Sequence, residues 1–122
     1  VLWNRRPVRI MSTHLSLFQP LRILQMRIIG QYVRRRPKMQ TILLGDLNEW
    51  RPWGGAMLNA HLVGTRLRGA ALRSFPSTWP VLPLDRILTD APGEVQDMRA
   101  ISSRDVARAS DHLPVTANIT VP

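Results

Sequence analysis

The run Thr41-Ile42-Leu43-Leu44-Gly45-Asp46-Leu47-Asn48 constrains this chain more than any other stretch. Its branched apolar residues read as a buried strand that Gly45 breaks, with an acid and an amide two positions apart just beyond. In locally extended backbone, residues i and i+2 face the same side, so Asp46 and Asn48 would look into one small volume. A carboxylate beside a neutral amide suits a hydrated hard cation, or a phosphate oxygen held next to one. Asp and Asn after Gly equally make an ordinary turn, and the stretch alone supports both readings.

The neighbouring patterns give this strand its company. Loose alternation predicts a strand over residues 7–15, with His14 near its end between hydroxyl residues. Gln19-Pro20 reads as a helix start, with Pro at the first helical position. Leu21, Leu24, Ile28 and Tyr32 form an apolar stripe, widened by Ile29 and Val33, while Arg22, Gln25, Gln31 and Arg35 fall off it; the stripe is expected to face the core. Arg34-Arg35-Arg36 complements the helix dipole in the last turn, and Pro37 ends the helix. A strand–helix–strand unit of this length predicts neighbouring strands in one sheet.

Downstream, residues 49–55 read as a loop and 56–62 as a short helix, on which His61 is expected to be a surface or packed histidine. Trp50 and Trp53 either stack on a substrate base, wall a pocket, or pack under their loop. Residues 64–83 have no regular period, and the proline-rich part from Ser74 to Pro83 is expected to run extended. Strands follow over 84–89, 95–101 and 113–120. Asp85 lies inside the first of these, where a carboxylate needs a partner. Ala109-Ser110-Asp111-His112 makes a tight polar turn before the last strand.

At 122 residues the chain makes one domain. No apolar run approaches the ~18 residues of a membrane span, and no secretory signal is visible, so a cytoplasmic setting is expected. Val1-Leu2-Trp3-Asn4 lacks an initiator Met and reads as the middle of something longer. The absence of cysteine excludes disulfides and thiolate metal sites. The formal charge is +9, and sixteen of the seventeen basic residues are Arg. Arginine's planar fork matches phosphate bidentately, which points to an anionic partner such as nucleic acid or phospholipid headgroups; a GC-rich genome would also favour Arg over Lys.

Four polar clusters thus sit at or beside strand ends: His14, Asp46/Asn48, Asp85 and Asp111/His112. Ser12-Thr13-His14-Leu15, Leu44-Gly45-Asp46-Leu47-Asn48, Leu84-Asp85-Arg86-Ile87 and Ser110-Asp111-His112-Leu113-Pro114-Val115 resemble, in order and spacing, the successive motifs of the endonuclease/exonuclease/phosphatase superfamily. Its members include deoxyribonuclease I-like nucleases, abasic-site repair endonucleases, inositol-polyphosphate phosphatases and sphingomyelinases. The approach from Ser74 to Leu84 resembles a bacterial branch.

The resemblance implies an α/β (α+β) fold, one half of a four-layer α/β/β/α sandwich, with a mixed, mostly antiparallel sheet and helices on one face. It covers residues 1–122 as the C-terminal half of the family's domain, so an upstream half would bring an Asn and a metal-binding Glu. Glu49 adjoins the Asp–Asn pair but comes from the wrong element to replace that Glu. The implied activity is phosphoester hydrolysis by activated water with Mg²⁺ or Mn²⁺. By the resemblance Asp111 would be the metal ligand, and Asp46 would bind metal or take the water's proton. Asn48 orients phosphate or water, with Trp50 beside it against substrate. Also by the resemblance, Asp85 would hold His112, which would act as general base or phosphate contact, and His14 would contact phosphate and help on the leaving-group side. A non-catalytic truncated relative that binds anionic polymers is the alternative. Half a sandwich is further expected to expose a large apolar sheet face and to form homo-oligomers through it.

Overall fold

In the computed structural model, which describes residues 1–122, the apolar run becomes strand β3 (Gln40–Asp46) and continues through Gly45 rather than ending there. Gly45 adopts φ +135°, and a Cβ at this position would lie 1.9 Å from the Thr13 carbonyl oxygen. The glycine therefore lets two strands close on each other, and the strand survives it.

The elements run β1 (Leu2–Trp3), β2 (Arg6–His14), α1 (Gln19–Arg34), β3, a 3-10 turn (Gly55–Leu58), α2 (Ala60–Val63), β4 (Asp85–Thr89), β5 (Glu94–Ala100), α3 (Arg104–Ala109) and β6 (Val115–Thr120). One sheet has the order β1-β2-β3-β4 and a second pairs β5 with β6. β2 and β3 are parallel, as the crossover through α1 predicts; the other pairings are antiparallel. The architecture is mixed α/β with a mixed, mostly antiparallel sheet. The short helix expected over 56–62 is split by Asn59, whose side chain caps α2 by accepting from the His61 N–H; His61 itself is exposed.

Register assigns the faces. Met11, Leu43 and Leu88 point to one side, where Met26 of α1, Met57 and Val63 close the core with Leu15, Leu47 and Leu67. Ile10, Ile42, Leu44 and Ile87 point to the other. This second face is less open than expected: Ile42 is buried, Leu44 and Ile87 are half-buried, and only Ile10 is exposed. The β5–β6 pair lies against β4.

Helix α1 is rotated from the hydrophobic pattern: Ile29, on the widened edge of the stripe, packs on the core and Val33 is half-buried, but the stripe itself is not buried. Its buried residues are Arg22, Met26 and Gly30, whereas Leu21, Leu24, Ile28 and Tyr32 are exposed. Two contacts decide this. A Cβ on Gly30 would lie 2.7 Å from the Leu62 carbonyl oxygen, so only glycine allows α1 to approach α2 this closely. On the same face, Arg22 meets the buried carboxylate of Glu49, with Nη2 to Oε2 at 3.4 Å. Shape and charge on that face override hydrophobicity.

Two further expectations change. The proline-rich stretch folds back on itself, with the Leu82 N–H donating to the Phe75 carbonyl and the Trp79 N–H to that of Pro76, instead of running extended. Helix α3 had no apolar period to announce it; Ser103 caps it by accepting from the Val106 N–H, and Asp105 occupies its first turn.

Candidate active site

The sheet itself builds the site. His14, Asp46 and Asp85 are successive register partners, His14 opposite Asp46 and Asp46 opposite Asp85, at one end of three adjacent strands. Partners in register point to the same face, so residues far apart in sequence emerge side by side. His14 Nε2 lies 3.5 Å from Asp46 Oδ2.

His112 reaches the same place from the turn before β6. Its Nδ1 is 2.7 Å from Asp85 Oδ2 and its Nε2 is 3.6 Å from Asp46 Oδ2. The acid inside the strand thus has its partner. Ser74 donates its hydroxyl to the same Asp85 oxygen at 2.5 Å. The folded-back loop holds the turn: the Ser77 N–H donates to the Asp111 carbonyl at 2.7 Å, the Ser77 hydroxyl to the Ser110 carbonyl at 2.6 Å, and the Leu113 N–H to the Ser74 carbonyl at 2.8 Å. The Phe75 ring packs on the imidazole, centroids 4.8 Å apart. Partial burial of His112 disfavours its charge, but the Asp85 hydrogen bond and the Asp85, Asp46 and Asp111 carboxylates outweigh this and raise its pKa above 6.5.

Asp46 and Asn48 do not converge through extended backbone. Asn48 is left-handed, with φ +49°, and its N–H donates to Asp46 Oδ1 at 3.0 Å. The turn and the shared pocket are therefore the same feature. Asn48 Nδ2 donates one hydrogen to the Leu15 carbonyl at 2.6 Å, which leaves its second N–H for the cleft. Trp50 and Trp53 are both exposed, so neither packs under the loop, and Trp50 walls the cleft.

All seven residues singled out in the sequence, His14, Asp46, Asn48, Trp50, Asp85, Asp111 and His112, line one open cleft of about 870 Å³. Gln19, Arg22, Arg51 and Phe75 join them without any sequence signal that marked them. The stretch that starts at Ser74 carries part of the resemblance, but nothing in it signalled the Ser74 bond to Asp85.

Ligand atoms of Asp46, Asp85 and His112 lie within 4.8 Å of one another, close enough to share a metal ion. Asp85 is already engaged by Ser74 and His112, however. Glu49 is engaged by Arg22 and Arg51. Asp46, between Asn48 and the two histidines, and the exposed Asp111 also line the cleft, and their carboxylate oxygens are hard donors of the kind that hold Mg²⁺ together with water.

No protein-family model matches the chain. The uncharacterized protein YbhP of Escherichia coli (strain K12) is 29% identical over 119 residues, covering 93% of this chain and 47% of that protein, and YbhP of Shigella flexneri matches to the same extent. The chain thus spans about half the length of the curated relatives it matches. Among solved structures, a mannosyl-6-phosphatase of Bacteroides thetaiotaomicron superposes with a TM-score of 0.69 at 16% identity, over 92% of this chain and 51% of that one. Beta toxin of Staphylococcus aureus gives 0.63 at 19% identity, over 95% and 54%. A mutant of the same toxin with bound magnesium ions gives 0.60 at 18% identity, over 94% and 54%. These are likenesses of fold, and the mixed α/β architecture is consistent with half of a DNase I-like fold.

Proposed function

We propose that this protein is the C-terminal half of a metal-dependent phosphoesterase of the endonuclease/exonuclease/phosphatase superfamily, which hydrolyses a phosphoester by activated water. One observation carries the reading: the His112–Asp85 pair opens onto Asp46 in a cleft that His14, Asn48 and Asp111 also line. The fold likeness to a phosphatase and to a magnesium-bound toxin supports it.

Asp85 accepts a hydrogen bond from the His112 Nδ1–H and so fixes the tautomer, leaving the Nε2 lone pair of the neutral ring facing the cleft. Nε2 takes the proton of the attacking water. Asn48 directs its remaining N–H at a phosphoryl oxygen, Trp50 bounds the substrate, and His14 stands on the leaving-group side. Asp46 and Asp111 would hold Mg²⁺ or Mn²⁺, which neutralises charge on the phosphoryl oxygens when bound.

The test is hydrolysis of bis(p-nitrophenyl) phosphate with Mg²⁺ and with chelator, in the protein carrying the whole domain. His112→Ala should lower the rate ~10²–10⁴-fold with an unchanged far-UV spectrum. An unaltered rate in that variant, or full activity in chelator, refutes the proposal.

A further inference from the structure

The charge of this chain is not spread along it. The first 45 residues hold nine Arg and Lys and no Asp or Glu, so the whole +9 excess resides there, while the remainder balances eight cations against eight acids. The same segment carries the apolar stripe that α1 turns away from the core. Leu17 and Phe18 are 82% and 66% exposed, and Leu21, Leu24, Ile28 and Tyr32 continue the line at 43–57%. Spacings of three and four residues place them along one side of a 16-residue helix, about 24 Å long. Arg27, Arg35 and Arg36 are exposed beside it, and the Arg36 guanidinium lies over the Tyr32 ring at 4.8 Å. Leu17 also lines the catalytic cleft, as does the exposed indole of Trp50. The stripe therefore begins at the mouth of the site.

We infer that this face seats the protein on an anionic lipid bilayer, so that the phosphoester entering the cleft is a lipid headgroup. The inference rests on the phosphoesterase reading for its second half only; the docking stands on the surface. An apolar line edged by arginines, with no acid on the helix, matches an interface where acyl chains lie beneath negative headgroups. Nucleic acid would use the arginines but would leave the leucines and isoleucine in water. A second copy would bring the same cations against themselves, because a two-fold interface pairs a patch with itself.

The experiment measures co-sedimentation with phosphatidylglycerol/phosphatidylcholine vesicles, beside phosphatidylcholine vesicles and duplex DNA, and needs no turnover. Binding to the anionic vesicles should weaken with salt. It should fall about tenfold or more in Leu24→Glu/Ile28→Glu, since partitioning follows buried apolar area and headgroup attraction. Both positions are half exposed, so far-UV spectra and hydrolysis of the soluble diester should match the parent. Parent-like vesicle binding in that variant overturns the docking face. So does DNA binding in preference to vesicles, or a dimer by light scattering that the variant abolishes without any vesicle binding. Loss of soluble-diester hydrolysis in the parent, with vesicle binding intact, would instead defeat the catalytic reading alone.

Discussion

Replacing Glu49 by Gln should destabilise the chain far more than most single changes, although it alters neither shape nor volume. The Glu49 side chain is 1% exposed and stands between Arg22, whose side chain is 4% exposed, and Arg51. Arg22 donates Nη1 to the carbonyls of Ser16 and Leu17, and its buried Nε has no partner. Glu49 is its ion-pair partner. Removing one member of a buried pair typically costs about 3–5 kcal/mol, because the other charge remains out of water. The contacts of 3.4 and 3.5 Å are longer than the tightest charge-assisted bonds, and Arg51 is partly hydrated. These features place the cost near the low end, about 3 kcal/mol. That is a large share of a total of roughly 5–15 kcal/mol, and lowers Tm by about 10 °C in a chain of this size. Urea titration with far-UV detection reads it as a lower midpoint at unchanged slope. The double variant Arg22→Met/Glu49→Leu should recover only part of the loss, since it removes the unpaired buried charge but leaves the Ser16 and Leu17 carbonyls and Arg51 without their partners. A loss under about 1 kcal/mol for Glu49→Gln, or a double variant as unstable as the sum of its singles, would show that the pair is not what holds this face together.

Gly45→Ala should cost roughly 3 kcal/mol or more, by urea titration, since a side chain there combines an unfavourable φ with a clash on the Thr13 carbonyl; a neutral result would mean that β2 and β3 can separate freely. For His112 the raised pKa fixes the sign of two pH effects. The stability contributed by its charged form is fully present below about 6.5 and is lost as pH rises through the higher folded value, whereas a neutral base gives activity that rises over that same interval. Asp85→Asn removes the largest of the raising interactions, so both the NMR titration of His112 and the rising limb of the rate profile should move to lower pH. A limb that stays in place would remove His112 from the proton transfer.

The candidate site was legible in pieces but not as a whole. Gly-Asp-Leu-Asn, Ser-Asp-His and the acid inside an apolar strand each mark a strand end, and the resemblance grouped them. What the sequence does not carry is register. That His14, Asp46 and Asp85 share one row follows from a parallel pairing of β2 with β3 and an antiparallel one of β3 with β4. A shift of one residue would turn any of them to the opposite face. The roles of Ser74 and Ser77 were not legible for a different reason, although the resemblance covers their stretch. Their work is done by hydrogen bonds to Asp85 and to the Ser110–Asp111 backbone, across distances in sequence that leave no periodic trace.

The misplaced face of α1 shows most clearly where pattern reading stops. Counting apolar residues at helical spacing selects Leu21, Leu24, Ile28 and Tyr32 as the inward side, by the rule that serves most surface helices. The fold selects Arg22, Met26 and Gly30. Gly30 contributes no apolar surface, yet its missing side chain admits the backbone of α2. Arg22 is charged, yet Glu49 beside the site and the carbonyls of Ser16 and Leu17 beyond His14 need a cation there. The helix is thus oriented by the contacts it makes at the cleft end of the sheet and with α2, and Leu21, Leu24 and Ile28 are left outside. A stripe that hydrophobic burial did not claim is the surface most open to another use, and it starts at the lip of the cleft.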